Sequence, residues 1–427
     1  MTNPLQQRIS RMSLGAASAA LMFVFVFGVV ANQSAQAQTL TVLYSFTGSS
    51  AGAMPVAGLV MDASGNLYGT TFYGGDLNCG EVGGCGTVFQ LTPTAGGSWN
   101  EKVLHAFDGK DGLGPAASLI FDDAGNLYGT TQDGGRSTCP GIDVFGCGVV
   151  FRLDQTGALK VLYNFCPHDY LCTHGAFPNS ELIRDAAGDL YATAAGGGDG
   201  ACNGGCGVVF KLSNSGKETV PHTSCSSGYS TCKRGAYPDS GLVRDAEGNF
   251  YGTTGNGGDP NCYGGCGLVY KLSKTGTFTV LHTFHGPAGD GCFPGGTPAL
   301  DKNGNLYGIT GYCGSRDRGT VWKVSKNGKE TVLHNFTGYP DGKYPGSGLI
   351  IDAKGNLYGV TGYGGAHDWG TVFTVNRTGK ETVLHSFRVA EGAYPAGNLM
   401  RDAAGNLYGT TTGEGSGNGG TVWKLAP

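Results

Sequence analysis

Asp402-Ala-Ala-Gly-Asn-Leu-Tyr-Gly-Thr-Thr411 decides the fold, because near-copies of it recur through the chain. They end in Leu67-Tyr68-Gly69, Leu127-Tyr128-Gly129, Leu190-Tyr191-Ala192, Phe250-Tyr251-Gly252, Leu306-Tyr307-Gly308, Leu357-Tyr358-Gly359 and Leu407-Tyr408-Gly409. The seven copies are spaced 60, 63, 60, 56, 51 and 50 residues apart. A period of this size marks a repeat architecture.

Outward from the motif, one repeat contains four strand-like runs. In the sixth copy these are Gly348–Asp352, Asn356–Thr361, Gly370–Val375 and Glu381–Phe387, the first two joined by the polar turn Asp352–Asn356. Runs of about five to seven residues rich in Val, Thr, Tyr and Phe, bounded by Gly, Asn and Asp, are antiparallel hairpin signals. Along the second run Leu and Gly face one side, Tyr and the first Thr the other. Four such strands per unit, stacked on both faces, describe a blade of a β-propeller.

A solenoid is the competitor, and closure excludes it. The fourth-strand motif appears at Val42–Phe46 before any other strand of its repeat, while the last repeat stops at Gly420–Leu425, one strand short. The N-terminal strand is therefore expected to complete the final blade. The predicted fold is an all-β, seven-bladed propeller over residues 38–427, preceded by a signal peptide over 1–37.

That signal is read from Arg8 and Arg11, an apolar run from Leu14 to Ala31, and Ala35-Gln36-Ala37 as a small-residue cleavage site. Cleavage near Ala37 leaves a secreted or periplasmic chain with no further apolar stretch long enough to span a membrane. The net charge of −4 gives no electrostatic case for nucleic acid. An even number of cysteines, 14, in an exported chain reads as disulfides rather than zinc ligands. The expected pairs are Cys79 with Cys85, Cys139 with Cys147, Cys166 with Cys172, Cys202 with Cys206, Cys225 with Cys232, Cys262 with Cys266 and, by elimination, Cys292 with Cys313. All fall in the loops of variable length, which are expected to share one face of the disc.

Four linked submotifs recur in order from Thr39 to Pro427: Gly-Asn-Leu-Tyr-Gly-Thr-Thr, Gly-Gly, Gly-Thr-Val-Phe and Val-Leu-His-Ser-Phe. This pattern resembles the GloVer-type tandem repeats of exported bacterial proteins. With no sorting tail after Leu425-Ala-Pro427, the resemblance implies a released protein, expected as a monomer. It implies no established reaction, and no catalytic residues carry over from it.

No catalytic motif stands out among the residues. The repeated Asp of Asp62-Ala-Ser-Gly-Asn66 reads as turn-forming, because all seven copies keep it. His105, His222, His282, His334 and His385 share one structural position with Tyr44 and Tyr163, so they read as packing residues. Positions that break the repeat are more informative. Aromatic-Pro steps at Phe177, Tyr237, Tyr344 and Tyr394 lead into the innermost strand. They bring Asn179, Glu181, Asp239 and Asn398 to the mouth of the central channel, with Arg184, Arg244 and Arg401 further along the same strands. Asn179, Glu181, Asp239, Asn398, Tyr237, Tyr344 and Tyr394 form the candidate ligand site, on the face that carries the cysteine-bearing loops. His168, His174, Asp368 and Trp369 are nonrepeated loop residues nearby. Amides and carboxylates beside aromatic rings suit a saccharide or a protein, and define a noncatalytic binding propeller. The alternative is a metal-assisted hydrolase or lyase at the channel mouth. No cofactor motif is present, although the same oxygens leave a divalent cation open.

Overall fold

The computed structural model describes residues 38–79, 83–135, 139, 146–166, 172–198, 202, 204–225, 232–262, 264–287 and 289–427. The expected signal segment and His168 lie outside the described residues.

The chain folds into seven antiparallel sheets, each of four strands except for one whose innermost strand is broken in two. Blade 1 is typical: Val60–Met61, Leu67–Thr71, Thr87–Pro93 and Trp99–Ala106 succeed one another outward from the centre. The innermost strand varies most: it has two residues in each of blades 1 to 4, is split into Gly342–Pro345 and Ile350–Ile351 in blade 6, and has nine residues in Cys292–Leu300 and Ala393–Arg401. Closure is as expected. Leu40–Ser45 pairs antiparallel with Thr421–Leu425, placing Leu40 against Leu425 and Val42 against Trp423.

Each element of the motif has a physical task. The Asp of the first turn accepts bonds from the turn. In blade 1, Asp62 Oδ1 takes the amides of Ser64 and Asn66, each at 2.9 Å, while Oδ2 takes Asn66 Nδ2 (2.7 Å) and the Tyr68 hydroxyl (3.0 Å). The Asp–Tyr bond recurs in all seven blades. Burial pushes the Asp62 carboxyl up, but these bonds outweigh it and hold its pKa below the usual value. The glycine after Tyr makes room for a ring on the paired strand. A Cβ on Gly308 would lie 2.3 Å from the Trp322 indole, and one on Gly409 2.4 Å from Trp423.

Blade-to-blade packing is equally regular. Phe46, Phe107, Phe165, Phe284, Phe336 and Phe387, each fully buried, end the fourth strands. Each meets the third-strand ring of the next blade at 5.1–5.8 Å: Phe89, Phe151, Phe210, Trp322, Phe373 and Trp423. Ser224 breaks this series, and there Tyr270 turns to stack on Phe278 at 5.1 Å.

The cysteines pair as Cys79–Cys85, Cys139–Cys147, Cys166–Cys172, Cys202–Cys206, Cys225–Cys232, Cys262–Cys266 and Cys292–Cys313, and none is free. They point to an oxidising, extracellular or periplasmic compartment. Their placement differs from a set of staples on an exposed rim. Cys85 and Cys266 are buried, and each packs into a hydrophobic cluster with the phenylalanine at its seam, Phe107 and Phe284 respectively. The physical reason is that a disulfide is itself apolar, so the bridges extend the core outward beneath the loops. Among the described residues no helix is long and apolar enough to cross a membrane.

Candidate functional site

The site begins at the step into each innermost strand. Seven residues preceding a proline adopt left-handed backbone angles: Met54, Gly114, Phe177, Tyr237, Phe293, Tyr344 and Tyr394, with φ between 55° and 63°. The amide of each donates to a carbonyl of the preceding blade, as Tyr394 does to Trp369 (3.1 Å) and Met54 to Gly419 (2.7 Å). In four blades that carbonyl belongs to the second cysteine of a bridge. Gly114 donates to Cys85 (3.0 Å), Phe177 to Cys147 (2.9 Å), Tyr237 to Cys206 (2.9 Å) and Phe293 to Cys266 (3.0 Å). Cys85, Cys147, Cys206 and Cys266 therefore hold the step in place, a role that their position in variable loops does not suggest. The proline then packs where a side chain would otherwise stand, since a Cβ on Gly370 would lie 2.4 Å from Pro395 Cδ. The step is thus a rivet between blades, which explains why six non-glycine residues tolerate a disfavoured conformation. The sequence pattern shows the step in four blades, as a departure from the repeat. The structure corrects this, because all seven blades have it.

Past the proline, the inner strands do depart from the repeat. They line a central cavity of about 200 Å³ to which every blade contributes. Asn179, Glu181, Asp239 and Asn398 all line it, as the spacing predicts. They form two tiers, because alternate residues of a strand share a face. In the deeper tier Glu181 reaches across the channel. Its Oε1 accepts from Asn398 Nδ2 (2.6 Å) and its Oε2 from Thr297 Oγ1 (3.1 Å), while Asn398 Oδ1 accepts the Gly348 amide (2.6 Å). This trio ties blades 3, 5 and 7 together across the channel. Thr297 does not stand out in the sequence, because Pro298 disrupts the motif in that blade.

The tier nearer the mouth holds Asn179 and Asp239. Asn179 Oδ1 is buried and has no hydrogen-bond partner. Asp239 is exposed to the channel bore yet ringed by protein, and that enclosure raises its carboxyl pKa to about 6, partly offset by a backbone hydrogen bond.

Beside the mouth, rings from blades 5 to 7 form a continuous arc. Phe293 meets Tyr312 (6.1 Å), Tyr312 meets Tyr344 (5.1 Å), Tyr344 meets Tyr363 (6.1 Å), Tyr363 meets Tyr394 (4.9 Å), and Tyr394 meets Trp369 (5.5 Å). Tyr312, Tyr363 and Phe293 are 51%, 42% and 37% exposed. The arc therefore presents ring faces and edges to solvent. Lys343 sits 5.9 Å from the Tyr363 ring and bonds Asp368 at 2.8 Å. Tyr237 stands apart, packed against the buried Cys202–Cys206 and Cys225–Cys232 bridges. Tyr312 and Tyr363 escape a reading of the sequence; the shared Thr-Gly-Tyr at 310–312 and 361–363 is the available signal.

Other residues fall elsewhere. Arg244 and Arg401 stack over Phe250 (5.5 Å) and Tyr358 (5.8 Å), and take no part in the mouth. His174 is half exposed and bonds Glu218. Two larger hollows, of about 600 and 720 Å³, lie on the short-turn face, lined by repeated turn residues such as Asp301 and Asn303.

The repeated histidines are not simple packing residues, which corrects a second expectation. His105, His282, His334 and His385 each bond a carboxylate from the following loop: Asp111 (2.7 Å), Asp290 (3.2 Å), Asp341 (3.0 Å) and Glu391 (2.9 Å). His222 differs. It stacks on Phe278 at 3.9 Å, and burial, then the Arg234 charge, lower its pKa to about 3.

Matches to the Gloeobacter/Verrucomicrobia repeat cover residues 24–170, 78–296 and 261–427. The chain belongs to this family. No curated relative matches this member of the Gloeobacter/Verrucomicrobia repeat family. Among solved structures it is similar to the extracellular domain of a hybrid two-component system from B. thetaiotaomicron. The TM-score is 0.53 at 14% identity, over 91% of this chain and 41% of that one. The repeat protein thus spans about two-fifths of that structure. It also resembles a gluconolactonase of Xanthomonas campestris (TM-score 0.41, 17% identity, 71% and 82% covered). A third similar structure is a luciferin-regenerating enzyme (TM-score 0.43, 13% identity, 91% and 95% covered). The first likeness shows the fold alone.

Proposed function

We propose that this chain is an exported, noncatalytic binding propeller that holds a saccharide at the mouth of its central channel. The observation that carries the reading is the exposed aromatic arc from Phe293 to Trp369. Sugar rings present apolar C–H faces and polar rims. A run of tyrosines stacks the former, while Asn179 and Asp239 offer hydrogen-bonding groups to the latter. The disulfide-bearing loops belong to blades 1 to 5, and four of the six rings of the arc belong to blades 6 and 7, whose loops carry no bridge. Rigid scaffold and variable rim are the usual division in a binding protein. Secretion follows cleavage near Ala37, and the released form is a monomer.

Affinity electrophoresis in gels containing soluble β-glucan, α-glucan, xylan or chitosan tests the reading. At least one polysaccharide retards the protein, and Tyr312→Ala with Tyr363→Ala restores free migration while Asn78→Ala does not. Retention by none of the four, or unchanged retention of the double variant, overturns it.

The place of Asp239 on the channel lining, with its carboxyl held above the usual range by its surroundings, favours a second reading, in which that carboxyl transfers a proton to or from the bound ligand. Cleavage of a retained polysaccharide that is lost in Asp239→Asn, with binding kept, would decide for it.

A further inference from the structure

The histidine belt holds a feature that the channel does not explain. His334 lies on the fourth strand of blade 5, Glu330–Asn335, and Glu381 opens the fourth strand of blade 6, Glu381–Ser386. Asp341 sits in the loop between these blades. One ligand atom from each of the three lies within 4.8 Å of the other two. The His334 and Asp341 side chains are 18% and 10% exposed. Asp341 is fixed in place by the amides of Thr337 (2.9 Å) and Gly342 (2.6 Å) and by the Thr337 hydroxyl (3.3 Å). Glu381 is less well served, since its Oε1 is buried and has no hydrogen-bond partner. Among the described residues no lysine or arginine forms an ion pair with either carboxylate.

Two carboxylates and an imidazole thus gather at a blade seam with no lysine or arginine paired to them among the described residues. We infer that His334, Asp341 and Glu381 form a binding site for a divalent transition metal, with zinc the best match. Imidazole together with carboxylate suits zinc, whereas calcium and magnesium favour sites made of oxygen alone. Three protein ligands leave one position of a tetrahedral ion for water.

The belt supplies its own comparisons. At His282 and Asp290 the corresponding Glu330 is also present with a buried, unpartnered Oε1, but that set does not close to the same span. At His105 and Asp111 the residue lining the hollow is Leu159, so the third ligand is missing. The position of the site in the ring is also informative. Every disulfide lies between Cys79 and Cys313, in blades 1 to 5. A metal joining the loop after blade 5 to blade 6 fastens the ring where covalent bridges end.

The test uses tag-free protein stripped with EDTA and titrated with zinc chloride by calorimetry, then with cobalt chloride by absorbance. The inference expects one saturable zinc equivalent, cobalt bands of tetrahedral intensity and a zinc-dependent rise in thermal midpoint. Glu381→Gln keeps the side-chain shape and is expected to weaken zinc by at least about tenfold, with Glu330→Gln close to the parent. Circular dichroism of the metal-free variants checks that both fold, and Asp341→Asn gives a second ligand loss if Glu381→Gln does not. Absence of a saturable site, or the same zinc affinity in Glu381→Gln and Asp341→Asn as in the parent, overturns the inference.

Discussion

Phe46→Ala tests whether the ring is closed by its first strand. Phe46 is fully buried and meets Phe89 of blade 1 at 5.1 Å, edge to face. Removing such a ring from a packed core costs about 3–5 kcal/mol. The right comparison is Phe336→Ala, at a seam inside the continuous chain, where the ring meets Phe373 at the same 5.1 Å. If the N-terminal strand is seated as firmly as any other, the two variants should agree to within about 1 kcal/mol, inside the spread seen for one substitution type. Equilibrium unfolding in urea under nonreducing conditions, followed by tryptophan emission, measures both. Trp423 is a local reporter, because it lies directly opposite Val42 of the closing strand. A Phe46→Ala protein that unfolds at the parent's midpoint, while Phe336→Ala falls, would refute closure as a source of stability.

Two more outcomes are expected. Gly308→Ala should destabilise by about 1–3 kcal/mol in the same assay, because the new methyl group meets Trp322. Gly129→Ala should cost less, since its partner is Phe151 and blade 3 already pairs Ala192 with Phe210; equal losses would contradict the ring-size argument. His222, with its pKa lowered to about 3, prefers the neutral form in the folded state. Its stabilising effect is therefore complete above the unfolded value near 6.5, and is lost as pH falls, at about 1.4 kcal/mol per unit. Thermal midpoints from pH 7 to 4.5 should fall less steeply in His222→Tyr, which places there the residue found at Tyr44 and Tyr163. Parallel curves would assign the acid loss to other groups.

The architecture was legible because the blades repeat one solution: an Asp clasp in all seven, a glycine beneath a ring in all but blade 3, and a phenylalanine at every seam except that of Ser224. The channel oxygens were legible for the opposite reason. Asn179, Glu181, Asp239 and Asn398 stand where other blades have small residues, and alternation along a strand sends them into one bore. The arc was not legible, since Tyr312, Tyr344, Tyr363 and Tyr394 become neighbours only through the rotation between blades. The histidine partners were hidden by loop length. Their carboxylates come 6, 8, 7 and 6 residues later, so no fixed spacing marked them. The proline rivet was seen in part: Met54 and Gly114 lack the aromatic ring that drew attention to the step, and at Phe293-Pro294 the motif that follows is disrupted by Pro298. The partners of four rivets, Cys85, Cys147, Cys206 and Cys266, were legible as bridge cysteines but not as seam residues, since it is their backbone carbonyls that take part.

The closing strand also sets an order of assembly. Blades 1 to 6 can each complete their hydrogen bonding once their own stretch of chain has been made. Blade 7 cannot, because Leu40–Ser45 is synthesised first and its partner Thr421–Leu425 last. Until then the first strand is an unpaired edge, able to pair with the wrong neighbour. Joining residues at the two ends of the chain is the contact with the largest loop to close, so it belongs late in folding. A chain terminated just before Thr421 would therefore lose two strands of the ring rather than one: the strand it never made, and the first one, left with nothing to pair with.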